Sequence, residues 1–259
     1  MRVFRVILGC ILLIIVHEVY SMQNKSLINP ESNPQPLTAV PITSVKVKDT
    51  FWSPRLEIMR TVTVNDAFTK FENDRGGAFN NFDRVAKEDL GYHAGPEWYD
   101  GLLYEMIRAA SDFLAVHYDH ELDKRLDGYI GRIALAAARD PEGYINTWTQ
   151  LMAPTQRWGL NGGFLRGQHD VYNAGTLVEA GIHHYQATKK ISLLSVAVKF
   201  ANHMCNLMGP PPRKNIVPAH SLPEEALVKL YLLFREHPEI KSILPAQVQE
   251  EEYLRLAEF

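Results

Sequence analysis

The sequence predicts an all-α fold of helical hairpins packed side by side, as an α/α solenoid or toroid. Three observations carry the prediction. From Pro96 onward apolar residues recur at three- and four-residue steps, the signature of amphipathic helices. The helices come in pairs joined by short polar turns. The second helices share a loose pattern, Leu-x-x-x-Ala-x-x-Phe in Leu193 to Phe200, and the last ends as Leu254-Arg-Leu-Ala-Glu-Phe259. Such pairs bury their apolar faces only against one another, so they stack.

Taken in order, residues 1–21 read as a secretory signal peptide. Arg2 and Arg5 give the basic end, Val6 to Val16 the apolar run, and Val19 and Ser21 the small cleavage positions. A membrane anchor needs about 20 apolar residues, and His17-Glu18 interrupts this run well short of that. The chain is therefore expected to be secreted, with no membrane span after cleavage. Asn24-Lys25-Ser26 is a glycosylation acceptor pattern. Residues 22–44, rich in Asn, Pro, Ser and Gln, read as an extended lead-in. A domain of paired helices over 45–259 follows.

Val45 to Val47 alternates with lysines and is expected as a short strand. Phe51 to Arg55 reads as an anchoring turn, because the residue before Pro54 disfavours helix. A helix is expected from Arg55 to Phe71, and Glu72 to Asp89, with Gly76-Gly77 and Asn80-Asn81, reads as a long loop. Next comes a stripe of Leu102, Leu103, Met106, Ile107, Ala110, Phe113 and Leu114. Its partner helix carries Leu122, Leu126, Ile130, Ile133 and Ala137, and Asp140-Pro141-Glu142-Gly143 stops it. A long connection over 143–168 holds Tyr144, Trp148, Trp158 and Phe164. Loops of this length in compact domains are usually functional or disordered, and the aromatics argue against disorder. The clearest hairpin is Gly167 to Met208, turning at Thr188-Lys189-Lys190. A third pair begins at Pro223, and its return helix starts near Glu250.

Composition removes several classes of function. A net charge of -3 without a basic stripe takes nucleic acid off the set of expected partners. Two cysteines, Cys10 in the leader and Cys205, exclude a disulfide framework and a Cys-x-x-Cys metal site. His203 and Cys205 lie two apart on a helix and point to different sides. No metal-ligating or catalytic set is picked out. Glycosidases generally need two carboxylates about the scissile bond, and no pair stands apart from the solvated acids.

The polar cluster His169, Asp170, Tyr172, Asn173 stands at the entrance of a helix, where rigid scaffolds display functional groups. This stretch carries a family resemblance. His169-x-x-Tyr172-x-Ala174-Gly175, then Glu179-Ala180, Tyr185-Gln-Ala-Thr188 and Leu193-Leu194-x-Val196-Ala197 resemble glycoside hydrolase family 127, the β-L-arabinofuranosidases and their relatives. Further matching pieces are Phe51-Trp-Ser-Pro-Arg55, Gly143-Tyr-Ile-Asn-Thr147 and Ala226-Leu-Val-Lys-Leu-Tyr231 after His220.

The resemblance implies an (α/α)6 toroid, of which about three pairs, or half a ring, are present. Such a half leaves an apolar edge for a second half or an oligomer to cover. It also implies a retaining, non-reducing-end β-L-arabinofuranosidase with a carbohydrate substrate. Its cofactor would be zinc, held with a cysteine nucleophile by glutamate and further cysteines in the other half of the barrel. None of those ligands is identifiable in this chain, which is expected to be inactive alone.

His169 and His220 are implied to contact the arabinofuranose ring; each could instead be a helix-entry residue satisfying backbone groups. The first motif departs from the family at Asn173 and Thr176, where Cys and His are usual, and the second has Leu222 in place of an acid. Tyr172, Trp148 and Asp100 complete the candidate sugar contacts, although Trp148 fits core packing equally and Asp100 fits a helix-start acid better. Two other classes stay open: a non-catalytic carbohydrate-binding or helical partner-binding protein, and another toroid enzyme such as a polysaccharide lyase.

Overall fold

A computed structural model describes residues 40–73, 77–159, 169–216, 220 and 222–259. The leader, the glycosylation pattern, most of the lead-in and Phe164 lie outside them. Pro41–Phe259 forms one compact unit, and its described elements are helical. After a 3-10 turn at Ile42–Ser44, α1 (Trp52–Ile58) runs through a π turn, Met59–Thr63, into α2 (Val64–Asn73). Then follow α3 (Phe79–Lys87), α4 (Tyr99–Val116), α5 (His120–Ala137) and the short α6 (Thr147–Met152). The hairpin of α7 (Asp170–Thr188) and α8 (Ser192–Leu207) comes next, then α9 (Pro223–Glu236), a 3-10 turn at Pro238–Ser242, and α10 (Glu250–Glu258).

The helices form two rows. In one, α4, α7 and α9 lie side by side; in the other, α5, α8 and α10 do. Each hairpin contributes one helix to each row. Helix α7 is buried along almost its whole length, against α4, α8 and α9. Gly181 lets α8 approach it closely: a Cβ there would sit 2.9 Å from that of Ala197. Local chemistry sets the boundaries. Asp119 caps α5 by accepting from the amides of Glu121 (3.0 Å) and Leu122 (3.1 Å). Lys189 turns the α7–α8 hairpin in the left-handed region at φ 62°, and Pro223 opens α9 where no amide hydrogen is needed.

Three expectations are corrected. The loop expected over Glu72 to Asp89 contains α3. Phe79, Phe82 and Val85 form a buried stripe, and Phe79 stacks on Tyr129 of α5, with centroids 3.9 Å apart and planes 6° apart. With α2 beside α4 and α3 beside α5, both rows gain a helix and the chain holds a fourth pair. The strand expected at Val45 to Val47 is extended chain without a ladder. No strand lies beside it among the described residues; instead Ser53 Oγ donates to the Val47 carbonyl (3.2 Å) and both valines stay exposed. The turn at Phe51 to Arg55 is already the start of α1, because the Asp49 carboxylate takes up the amides of Phe51, Trp52 and Ser53.

Candidate functional site

The N-terminal ends of α4, α7 and α9 gather at one edge of their row. Trp98 stands at the start of α4, His169 at the start of α7, and His220 three residues before α9. Their rings meet: Trp98 lies 5.0 Å from His169, and His169 lies 5.7 Å from His220 with planes 28° apart. Tyr172, on the first turn of α7, is 5.3 Å from His220 and 6.2 Å from His169. The structure thus brings together two histidines separated by fifty residues of chain. It adds Trp98, which sequence reasoning missed. The sequence signal was a tryptophan directly before a helix start; the structure leaves it 39% exposed.

His169 is held in the left-handed region at φ 55°, ψ 23°, a conformation that costs a non-glycine residue on the order of 1 kcal/mol. Its carbonyl still accepts from the Asn173 amide (2.9 Å), so the turn both starts α7 and sets where the ring points. The buried His169 Nδ1 has no hydrogen-bond partner among the described residues. Burial, with Glu105 adding to it, pushes the Tyr172 phenol above its usual range, so the hydroxyl stays neutral. Together these groups offer an indole face, a neutral hydroxyl and imidazole nitrogens, a set suited to a polyol with one apolar face.

Beneath the rings lies a fully partnered polar layer. Asn173 is buried; its Oδ1 accepts from the Gly101 amide (2.9 Å) and its Nδ2 donates to the Glu97 carbonyl (3.3 Å), which locks α7 to the start of α4. Asp170 accepts from Asn146 Nδ2 (2.6 Å), Thr149 Oγ1 (2.7 Å) and the Trp158 amide (2.7 Å). The Gly143 to Thr147 motif is therefore the clamp that fastens the long connection to α7. Asp100, a candidate sugar contact, is 1% exposed, and both its oxygens are engaged by Thr147, at 2.7 Å from the amide and 2.6 Å from Oγ1. Burial pushes its pKa up to about 6, against the Thr147 hydrogen bonds and with help from the Asp170 charge. Its place is in the scaffold. Trp148 is half-buried on α6 and makes no ring contact with the cluster among the described residues. Trp158 is core: it packs on Tyr144 and Phe200, and its Nε1 donates to His203 Nε2 (3.1 Å).

One buried acid ties the row together. Glu179 of α7, 1% exposed, pairs with Arg108 of α4 (2.5 Å) and Lys229 of α9 (2.6 Å). Burial alone would raise its pKa, but the hydrogen bonds from Lys229 and Arg108 outweigh it and hold the carboxylate below its usual range.

Two rows of paired helices, with a ring-lined edge where one row's N-termini meet, define an α/α-toroid domain of the kind found in glycoside hydrolases. Residues 44–259 match the family described as "Beta-L-arabinofuranosidase, GH127 catalytic domain", and the chain belongs to that family. It is 29% identical over 177 residues to the non-reducing end β-L-arabinofuranosidase of Bifidobacterium longum subsp. longum, which covers 68% of this chain and 26% of that protein. Among solved structures, a GH127 β-arabinofuranosidase superposes with a TM-score of 0.72 at 33% identity, covering 85% of this chain and 33% of that one. A GH127 β-L-arabinofuranosidase from Geobacillus stearothermophilus T6 gives 0.68 at 28% identity, covering 82% and 31%. The chain thus spans between a quarter and a third of the length of these relatives.

The described residues do not fit the zinc–thiolate centre that the family resemblance implies. Cys205 is buried in the core, and burial pushes its thiol up to about 12, so it stays protonated. No acid or second thiol is grouped with it for a metal among the described residues.

Proposed function

We propose that this chain is the sugar-contacting part of a secreted glycosidase domain acting on non-reducing-end β-L-arabinofuranosides, and that its 259 residues alone bind the sugar without hydrolysing it. The observation that carries the reading is the contact among Trp98, His169, Tyr172 and His220, three helix N-termini converging on one patch of rings. The imidazoles and the Tyr172 hydroxyl direct hydrogen bonds to sugar hydroxyls, and the exposed Trp98 face takes the apolar side of the ring. Retaining hydrolysis needs a nucleophile and an acid/base, and the described residues bring neither thiolate nor paired carboxylates to this patch. Secretion rests on the leader sequence, and the sugar on the family and the activities for which its relatives are named.

Calorimetric titration with methyl β-L-arabinofuranoside tests the reading. Binding is expected in the wild-type chain and at least tenfold weaker binding in His169→Ala and in His220→Ala. Binding unaffected by both substitutions overturns the site, and release of L-arabinose by the purified chain overturns the proposal that it does not turn over. Failure to bind any arabinofuranoside, with capture of a protein partner instead, would favour a helical partner-binding role.

A further inference from the structure

Away from the ring cluster, where α5 meets the α7–α8 turn, a second group of polar side chains is built differently. Asp123 and Asp127 stand one turn apart on α5, and His184 faces them from α7; one donor atom from each lies within 4.8 Å of both others. His184 is 0% exposed, and neither Nδ1 nor Nε2 has a hydrogen-bond partner among the described residues. A buried imidazole with both nitrogens unused is rare, since burying such a group without a partner costs about 1–3 kcal/mol per hydrogen bond forgone. Asp123 is also buried, and its Oδ2 accepts from the Tyr118 hydroxyl (2.7 Å), which fixes the carboxylate. A cation already occupies the group. Lys190 Nζ lies 2.7 Å from Asp123 Oδ1 and 2.7 Å from Asp127 Oδ2. Lys190 lies in the hairpin turn, 36% exposed on a flexible stem, and can swing out to water.

We infer that Asp123, Asp127 and His184 form a binding site for a divalent metal of the zinc class, which Lys190 occupies as a competing internal cation. The donor set is one imidazole and two carboxylates, the mixture that zinc and its neighbours take and that magnesium does not. Neutral His184 has one nitrogen with a free lone pair to offer a metal, and no lysine hydrogen bond occupies it among the described residues. Separations of up to 4.8 Å exceed the roughly 3.3 Å between ligands on a tetrahedral zinc, so the three side chains draw inward as Lys190 leaves. A water completes the coordination. This site shares no residue with the sugar patch, and a metal in it would fasten α5 to α7.

The test is equilibrium dialysis of the full chain against buffered Zn2+, with His169→Ala and His220→Ala present throughout to remove the other close pair of imidazoles. Lys190→Ala is expected to tighten binding of one zinc by about tenfold or more, as the competing ammonium and its two ion pairs are lost. Adding Asp127→Asn, whose side chain is 47% exposed and so leaves the fold intact by circular dichroism, is expected to abolish that zinc. His184→Ala opens the core and can unfold the chain, so the exposed Asp127 is the deciding position. Unchanged zinc affinity in Lys190→Ala, or zinc retained after Asp127→Asn, overturns the site. Equal affinity for Mg2+ overturns the assignment to the zinc class.

Discussion

Replacing Asp100 by asparagine should change how stability depends on pH far more than it changes the structure. Asparagine has the same shape and can keep both contacts to Thr147, accepting from its amide and donating to its hydroxyl. Asp100 in the folded chain holds its proton up to pH about 6, against an ordinary value of 3.8, because burial disfavours the carboxylate. The folded state therefore binds more protons than the unfolded one across that interval. The stability this contributes is complete below 3.8 and is lost as pH rises through 6, by about 2.5 kcal/mol between pH 4 and 7.

His93 acts in the opposite sense. It sits half-buried beside the same threonine, with Nε2 3.0 Å from Thr147 Oγ1, and desolvation lowers its pKa from 6.5 to about 4. Its contribution is complete above 6.5 and is lost as pH falls through 4, by an amount of similar size. In the wild-type chain the two slopes oppose each other over one window. Asp100→Asn removes one of them, so relative to wild type the variant should lose about 2.5 kcal/mol on going from pH 7 to 4. Urea unfolding followed by circular dichroism at pH 4, 5, 6 and 7 measures this, and subtracting the wild-type curve cancels every other titrating group. Parallel curves for the two chains would refute the reasoning.

Glu179→Ala strands the Arg108 and Lys229 charges across three helices. Because both cations are partly solvated, the expected loss is about 2–3 kcal/mol rather than the full cost of a buried unpaired charge, read from urea midpoints. At Gly101 a Cβ would sit 2.3 Å from the Tyr172 ring and 2.7 Å from Asn173 Oδ1. Gly101→Ala should therefore destabilise by about 1–3 kcal/mol and weaken arabinofuranoside binding by displacing Tyr172. Cys205, buried with its thiol raised to about 12, should resist a chromogenic disulfide reagent in the folded chain and react at once in urea.

The helical pairs were legible because their apolar stripes run three or more turns. Leu102 to Leu114 and Leu122 to Ala137 in the sequence are α4 and α5 within three residues of their ends. Helix α3 was not legible, because Gly76-Gly77 and Asn80-Asn81 carry turn chemistry. The Asn81 side chain is spent on the Ala94 backbone, accepting from its amide (2.8 Å) and donating to its carbonyl (3.0 Å), so a residue typical of loops sits buried within a helix. The Val45 to Val47 alternation misled for a different reason: a strand needs a neighbouring edge, which no local pattern reports.

At the site, spacing alone could not join His169 to His220. The resemblance to the family paired them, and packing of α7 against α9 brings them together. Trp98 went unseen because it belongs to no quoted motif. Asp100, which fits a helix-start acid better than a sugar contact, has both oxygens engaged by Thr147, and Trp148, which fits core packing equally, makes no ring contact with the cluster among the described residues. The Asp123–Asp127–His184 group mixes residues from two hairpins and has no signature in linear spacing.

Imidazole proton and nitrogen shifts of the histidine-labelled chain, followed through a titration with methyl β-L-arabinofuranoside, address the sugar patch most directly. The resonances of His169 and His220 should move together and saturate along one binding curve, while those of the buried His184 and His203 stay fixed. A sugar that binds without moving either ring, or that moves only one of them, would contradict a shared pocket at the meeting of the three helix ends.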